Sequence, residues 1–474
     1  MPVYIVNMKN FLISLLCCLM CLATTGCGGV EEYVAQGVAS DDAEAEFMVT
    51  SPEGYNIYFN ISSASGCVVV SSPTYKKIIG PLTVPSQVDY KNVRYVVTGI
   101  DKYAFGGAEY MSDITLPQRL VSIERSAFTG CGRLAKLRLP ATLESLGTMA
   151  FDGCSALSEI YVDPDNTIFD SRDDCQAVID RKQNMLVLGC KNTRIPASVT
   201  SIGDCAFGGC VSLQRIVVPE GVKSVGVSAF GGCVGLKEVV LPNTLDSIQL
   251  FAFSNCTGLR SVKLPEGLVQ IRESAFAGCK SLQSVRLPNS LQVIGGHAFY
   301  GCKSLQALVL PSSLTTIEPN AFYECTGLRR IIVPEGVSVV GDYAFCFCSS
   351  LGEVSLPSTL ARLGNGAFSG CSSLTTITVP EKVSSIGEHT FLDCASLESL
   401  HLPSGLVSVG ETAFDGCQKL SSIYMKTATP PSTWFDKFAS VVTDKSVLYV
   451  PRESVSGYKQ ARAWRQFKRI QALP

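Results

Sequence analysis

A chain of 474 residues ordinarily divides into about three globular domains. With a net charge of −2 and only 17% charged residues, it offers no bulk electrostatic attraction to nucleic acid or to an anionic membrane surface. The domain expectation yields to internal repetition, because Ala-Phe recurs every 23 residues, usually with Cys three positions later. A fixed period of this length marks a solenoid, which grows along one axis without splitting its core.

The N-terminus reads as an export signal. Lys9 precedes an apolar run from Phe11 to Leu22, then Ala23, Thr24, Thr25, Gly26 and Cys27; Met8 is a second candidate start. The run is too short to span a bilayer and has signal-peptide flanks. Its small residues ending in Gly26-Cys27 resemble the lipobox of bacterial lipoproteins. That resemblance implies a signal peptide over 1–26 and lipidation of Cys27. Thr24 stands where Leu is usual, which leaves plain secretion open. Residues 27–47 carry Gly28, Gly29, Asp41, Asp42, Glu44 and Glu46 with few large apolar groups, the composition of a flexible tether.

Residues 48–99 alternate over Tyr55–Ile61, Cys67–Ser71, Leu82–Pro85 and Arg94–Val97, which predicts antiparallel strands capping the first coil. The repeats occupy 100–425. In one unit, Val285 and Leu287 alternate with polar neighbours, as in a strand with one buried face. Pro288 stops the strand. Leu291 and Ile294 form a second inward pair, Gly295 permits a bend, and Ala298, Phe299 and Cys302 are spaced for one helical or 3₁₀ turn. Residues 163–195 interrupt the beat; Gln176–Ile179 and Met185–Leu188 flank a polar turn and predict a hairpin. After 425 a cap over 426–474 is expected, with a last strand at Val447–Val450 and an apolar helix face formed by Tyr458, Ala461, Trp464 and Phe467.

The repeating Leu-x-x-Val-x-Leu-Pro followed by Ile-Gly-x-x-Ala-Phe-x-x-Cys resembles the BspA-like class of bacterial leucine-rich repeats. The resemblance implies a leucine-rich-repeat solenoid, β-rich, with short parallel strands and short helical or 3₁₀ turns. It further implies a bacterial surface location and adhesion to host matrix proteins such as fibronectin or fibrinogen, or to other bacteria.

Of 21 cysteines, twelve form a ladder from Cys131 to Cys417. A spacing of 23 is no metal-ligand spacing. The ladder reads as small apolar side chains with weak S–H hydrogen bonds filling a tight corner, with disulfides along it as the rival reading. Cys175 and Cys190 flank the hairpin and are candidates to pair. His297, His389 and His401 have no nucleophile or carboxylate pattern beside them, and no phosphate-cradling loop is present. The expectation is a protein without catalysis, metal or cofactor, monomeric, touching a membrane only through its anchor.

Function is sought where the repeat varies. Between the inward strand residues stand Arg138, Tyr161, Val217, Val240, Lys263, Arg286, Val309, Ile332, Ser355, Thr378, His401 and Tyr424. Both a solvated face and a binding face vary in this way. Arg260, Lys263, Arg286, Val309, Arg329, Arg330 and Ile332 make a mixed basic and apolar surface, which suits protein recognition. Glycan binding and a structural envelope role are the alternatives.

Overall fold

The computed structural model describes residues 45–63, 65–70, 72–433, 435, 438 and 440–474. Cys27, the signal segment and most of the tether lie outside them. The chain forms two compact units. One comprises the chain up to Pro242 with Ala252–Cys256, the other Asn243–Phe251 with Thr257–Pro474. Each is a β-solenoid of 23-residue coils.

A coil contributes two strands. The first, such as Ser284–Arg286, has its central residue buried and its neighbours exposed. The second is a two-residue strand such as Val293–Ile294. Equivalent strands of successive coils pair in parallel: Ser261–Lys263 with Ser284–Arg286, and Val293–Ile294 with Thr316–Ile317.

The Ala-Phe turn forms the third side. It is a turn rather than a helix, because two left-handed residues flank every Phe. The residue two before has positive φ in all thirteen coils, from Tyr103 to Thr412, and so has the residue two after, from Gly107 to Gly416. Glycine takes the later position in nine coils but the earlier one only at Gly366. A non-glycine residue in this conformation costs roughly 1–2 kcal/mol. Packing offsets that cost, because the turn points Ala, Phe and Cys inward together, all buried.

The Phe rings then stack from coil to coil. In the first unit Phe105, Phe128 and Phe151 lie 5.1 and 4.9 Å apart, with Tyr75 of the 3₁₀ turn Pro73–Lys77 4.8 Å from Phe105. In the second unit the stack runs from Phe276 to Phe414 and ends on Phe438. Backbone bonds stitch the same corner: Phe299 N donates to Ala321 O at 2.8 Å.

The cysteine ladder has a specific task. Cys302 Sγ donates to Phe276 O of the preceding coil at 3.3 Å, and Cys325 to Phe299 O at 3.1 Å. The same bond recurs from Cys131, Cys154, Cys233, Cys256, Cys348, Cys371, Cys394 and Cys417. The thiol thus fills the corner and caps a buried carbonyl. All seventeen described cysteines are free thiols, including Cys175, which donates to Ala177 O, and Cys190, which donates to Gln176 O.

The interruption is larger than a hairpin. Phe169–Asp170, Ala177–Asp180 and Met185–Gly189 form three antiparallel strands, and the last pairs in parallel with Ser201–Ile202. Gly189 sits under the Phe207 ring, where a Cβ would come within 2.1 Å of it. The segment also ends a strand ladder. Glu159–Val162 pairs with Lys136–Leu139 in a two-stranded sheet, and its open edge is covered by side chains. Gln176 Oε1 accepts from Ile160 N at 3.0 Å, Ser171 Oγ from Val162 N at 3.1 Å, and Asn192 Nδ2 donates to Ser158 O at 3.2 Å. Three side chains replace the missing strand's backbone.

At the N-terminal end Phe47–Thr50, Asn56–Ile61 and Gly66–Val69 are antiparallel, and Gly66–Val69 pairs in parallel with Val93–Ile100, which leads into the coils. At the other end the ladder extends beyond Val447–Val450, since Arg469–Ala472 adds a further parallel strand. The single apolar helix face expected there is not formed. The helix Val455–Gln460 ends as Ala461 turns extended, and a separate 3₁₀ turn, Trp464–Gln466, follows. The break lets Ala463 and Trp464 bury in place of Ala461, with Trp464 Nε1 donating to Pro431 O at 2.8 Å.

Candidate binding surface

Of the residues singled out in the second unit, Lys263, Arg286, Val309, Arg330 and Ile332 share one exposed strand face. Lys263 and Arg286 are register partners on adjacent strands. The bridge between Ala307 and Arg330 sets the register that brings Val309 beside Ile332. Arg260 and Arg329 are exposed at the bends leading into their strands. Val309 keeps 85% of its surface in solvent and Ile332 50%.

Electrostatics divide the cations. Arg330 is held by Glu353, Nε to Oε1 at 3.2 Å. Similar pairs join equivalent positions in the first unit, Lys136 with Glu159 and Arg215 with Glu238. Arg260, Lys263, Arg286 and Arg329 have no acidic partner among the described residues. Lys263 and Arg286 stand about 4.8 Å apart along the sheet, one strand spacing. Like charges directly opposite each other are unfavourable, and an anionic group laid across them relieves both.

Further along the same column the chemistry turns aromatic. His401, Tyr424 and Tyr449 are register partners whose rings stack at 4.4 and 4.9 Å. Burial, and then the nearby Lys426 charge, hold the His401 imidazole below its ordinary range, so it is neutral at pH 7. Lys426 itself pairs with Glu381 at 2.8 Å. One face therefore runs from basic through apolar to aromatic.

In the first unit, Val217 and Val240 are exposed register partners. Beside the interruption lies a cleft of about 270 Å³ lined by Lys136, Arg138, Glu159, Tyr161, Asp174 and Gln176. The Arg138 guanidinium lies 5.8 Å from the Tyr161 ring centre, so its cation is partly engaged.

Six thiols of the ladder in the second unit are poorly suited to chemistry. Burial pushes those of Cys325 and Cys417 up to about 12, and those of Cys302, Cys348, Cys371 and Cys394 well above the usual thiol range. A thiol held protonated is a poor nucleophile and a poor metal ligand. His297 and His389 occupy the left-handed position before the Phe, a conformational station of the repeat.

Comparison with protein families matches the BspA type leucine rich repeat region, in six copies, over residues 87–172, 187–306, 269–395 and 338–435. The chain belongs to this BspA-type family. Among solved structures, a leucine-rich repeat protein from Bacteroides ovatus is similar to it at 29% identity and a TM-score of 0.52, over 80% of this chain and 94% of that one. A leucine rich cell surface protein from Faecalibacterium prausnitzii shares the fold at 22% identity and a TM-score of 0.50, covering 81% and 95%. No curated protein matches the chain.

Two features of this BspA-type face escape a reading of the repeat alone. Tyr449 follows Tyr424 by 25 residues, off the 23-residue beat, yet the strand ladder carries it into the same column. The pairing of Arg330 with Glu353 is visible only as a spacing of 23 between opposite charges.

Proposed function

We propose that this is a non-catalytic cell-surface binding protein that recognises a protein partner through the strand face of its second unit. The supporting observation is the Lys263–Arg286 pair without a counter-charge, continued by exposed Val309 and Ile332. Cations beside apolar groups fit a partner that offers carboxylates next to an apolar anchor. Lipidated Cys27 and the tether to residue 47 hold residues 48–474 away from the outer membrane as a monomer. Arg260 and Arg329 widen the basic rim, while Arg330, already paired, contributes position more than charge.

The purified protein and its Lys263→Glu/Arg286→Glu variant should be compared on immobilised fibronectin, fibrinogen and bacterial surface protein. The double variant is expected to lose at least tenfold in affinity, and the parent's binding should weaken with salt. Unchanged binding by the variant rejects this face, and retention on none of the three rejects the adhesion reading.

A further inference from the structure

A second exposed cluster lies on the Phe-turn corner of the second unit. The coil of Phe345 carries aromatic residues at both left-handed positions, Tyr343 with φ 56° and Phe347 with φ 57°. Nine other coils put glycine where Phe347 stands. The following coil is the one with glycine at both positions, Gly366 and Gly370. A Cβ on Gly366 would stand 2.3 Å from Tyr343 Cε1, and one on Gly370 2.5 Å from Phe347 Cδ1. Both rings therefore lie over bare backbone. The preceding coils extend the cluster. Tyr300 and Tyr323 stack at 5.2 Å, and Tyr323 meets Phe347 edge-on at 5.5 Å. Tyr300 is 37% exposed and Phe347 46%.

Folding gains little from this arrangement. The turn imposes the left-handed conformation, but nothing in it asks for a half-exposed Phe where nine coils carry glycine, and a costly residue retained at such a station points to a ligand. The rim indicates its chemistry. Lys303 is paired with Glu324 and Arg362 with Asp342, each at 3.3 Å. Each pair is neutral as a unit and presents donors and acceptors at residues adjoining Tyr323 and Tyr343. We propose that this corner binds a neutral polysaccharide. Sugar rings would lay their apolar C–H faces on Tyr323 and Phe347, while the ion-paired side chains meet the hydroxyls. Rings supplied by successive coils suit a ligand that is itself a chain of rings.

The test is affinity electrophoresis of the whole protein through gels containing one of three neutral polysaccharides, a β-glucan, an α-mannan or a xyloglucan. At least one should retard the parent. Phe347→Gly and Tyr323→Ala should each weaken that retardation at least tenfold. The melting temperature of Phe347→Gly should stay level or rise, because glycine relaxes the turn. Lys263→Glu/Arg286→Glu should leave the retardation unchanged, which separates this site from the strand face. The proposal is overturned if none of the three polysaccharides retards the parent, or if both aromatic variants are retarded like it. It is also overturned if Phe347→Gly melts well below the parent, which would make the ring structural. Loss of fibronectin binding or of self-association in that variant, without a change in retardation, would reassign the corner to a protein partner.

Discussion

Asp152 tests how the interruption is accommodated. It directly follows Phe151 in the last coil before the inserted strands, and only 6% of its surface is exposed. Its carboxylate lies against Gly208, where a Cβ would come 2.3 Å from Oδ1, and the two coils meet through Gly153 N donating to Gly208 O. Burial pushes the carboxyl from 3.8 up to about 6, with no cation to oppose it. A raised folded-state pKa means that the folded protein favours the protonated form. The stability from this group is fully present below about pH 4 and lost as pH rises through about 6. Roughly two pKa units correspond to about 3 kcal/mol of destabilisation at pH 7. Asp152→Asn keeps the shape and removes the charge. It should be more stable than the parent by up to about 3 kcal/mol at pH 7.5 and equal to it near pH 4. Urea melts of both proteins at several pH values between 4 and 8 measure the difference. A difference that does not change with pH, or an Asn variant that is weaker at pH 7.5, would refute a buried, uncompensated carboxylate.

Gly189→Ala places a methyl within 2.1 Å of the Phe207 ring at the junction between the inserted strands and the resumed repeat. Overpacking of this kind should cost about 1–3 kcal/mol or more, read by the same melts; a cost under 0.5 kcal/mol would show that Phe207 moves freely aside. Thiol titration checks the ladder. Sixteen of the seventeen described cysteines are buried and should resist a thiol reagent in the folded state, half-buried Cys205 excepted, and all seventeen should react once denatured, without reductant. Recovery of fewer than half in denaturant would show that the ladder is oxidised.

Much of the fold is legible because the period is strict. Inward Leu, Val, Ile, Ala, Phe and Cys recur at fixed offsets and land in the core at most coils, while Leu241, Leu287, Val354 and Leu356 stay half-buried. The left-handed station before Phe is not legible, because Ser126, Met149, His297 and Thr412 share no signature there. Its conformation is imposed by the neighbours that must turn inward, a tertiary override of local preference. The edge caps Ser171, Gln176 and Asn192 are equally silent in sequence, since each acts on a backbone group brought near only by folding. The C-terminal helix misleads for a related reason. Tyr458, Ala461, Trp464 and Phe467 have helical spacing, but burial of Trp464 under Pro431 O outweighs continuation of the helix.

The two candidate sites differ in how a repeat can acquire them. Lys263, Arg286, Val309 and Ile332 occupy outward strand positions that tolerate any side chain, so their identity is cheap to change and a solvated face would look similar. Phe347 stands where the backbone favours glycine, and the next coil accommodates its ring with Gly370. A random surface drifts toward the relaxed residue at such a station, because glycine there relieves roughly 1–2 kcal/mol of strain. Two aromatic residues matched by two glycines across one coil boundary run against that drift. Stability measured beside binding therefore discriminates at this corner. At the strand face, where substitutions move stability little, binding alone must decide.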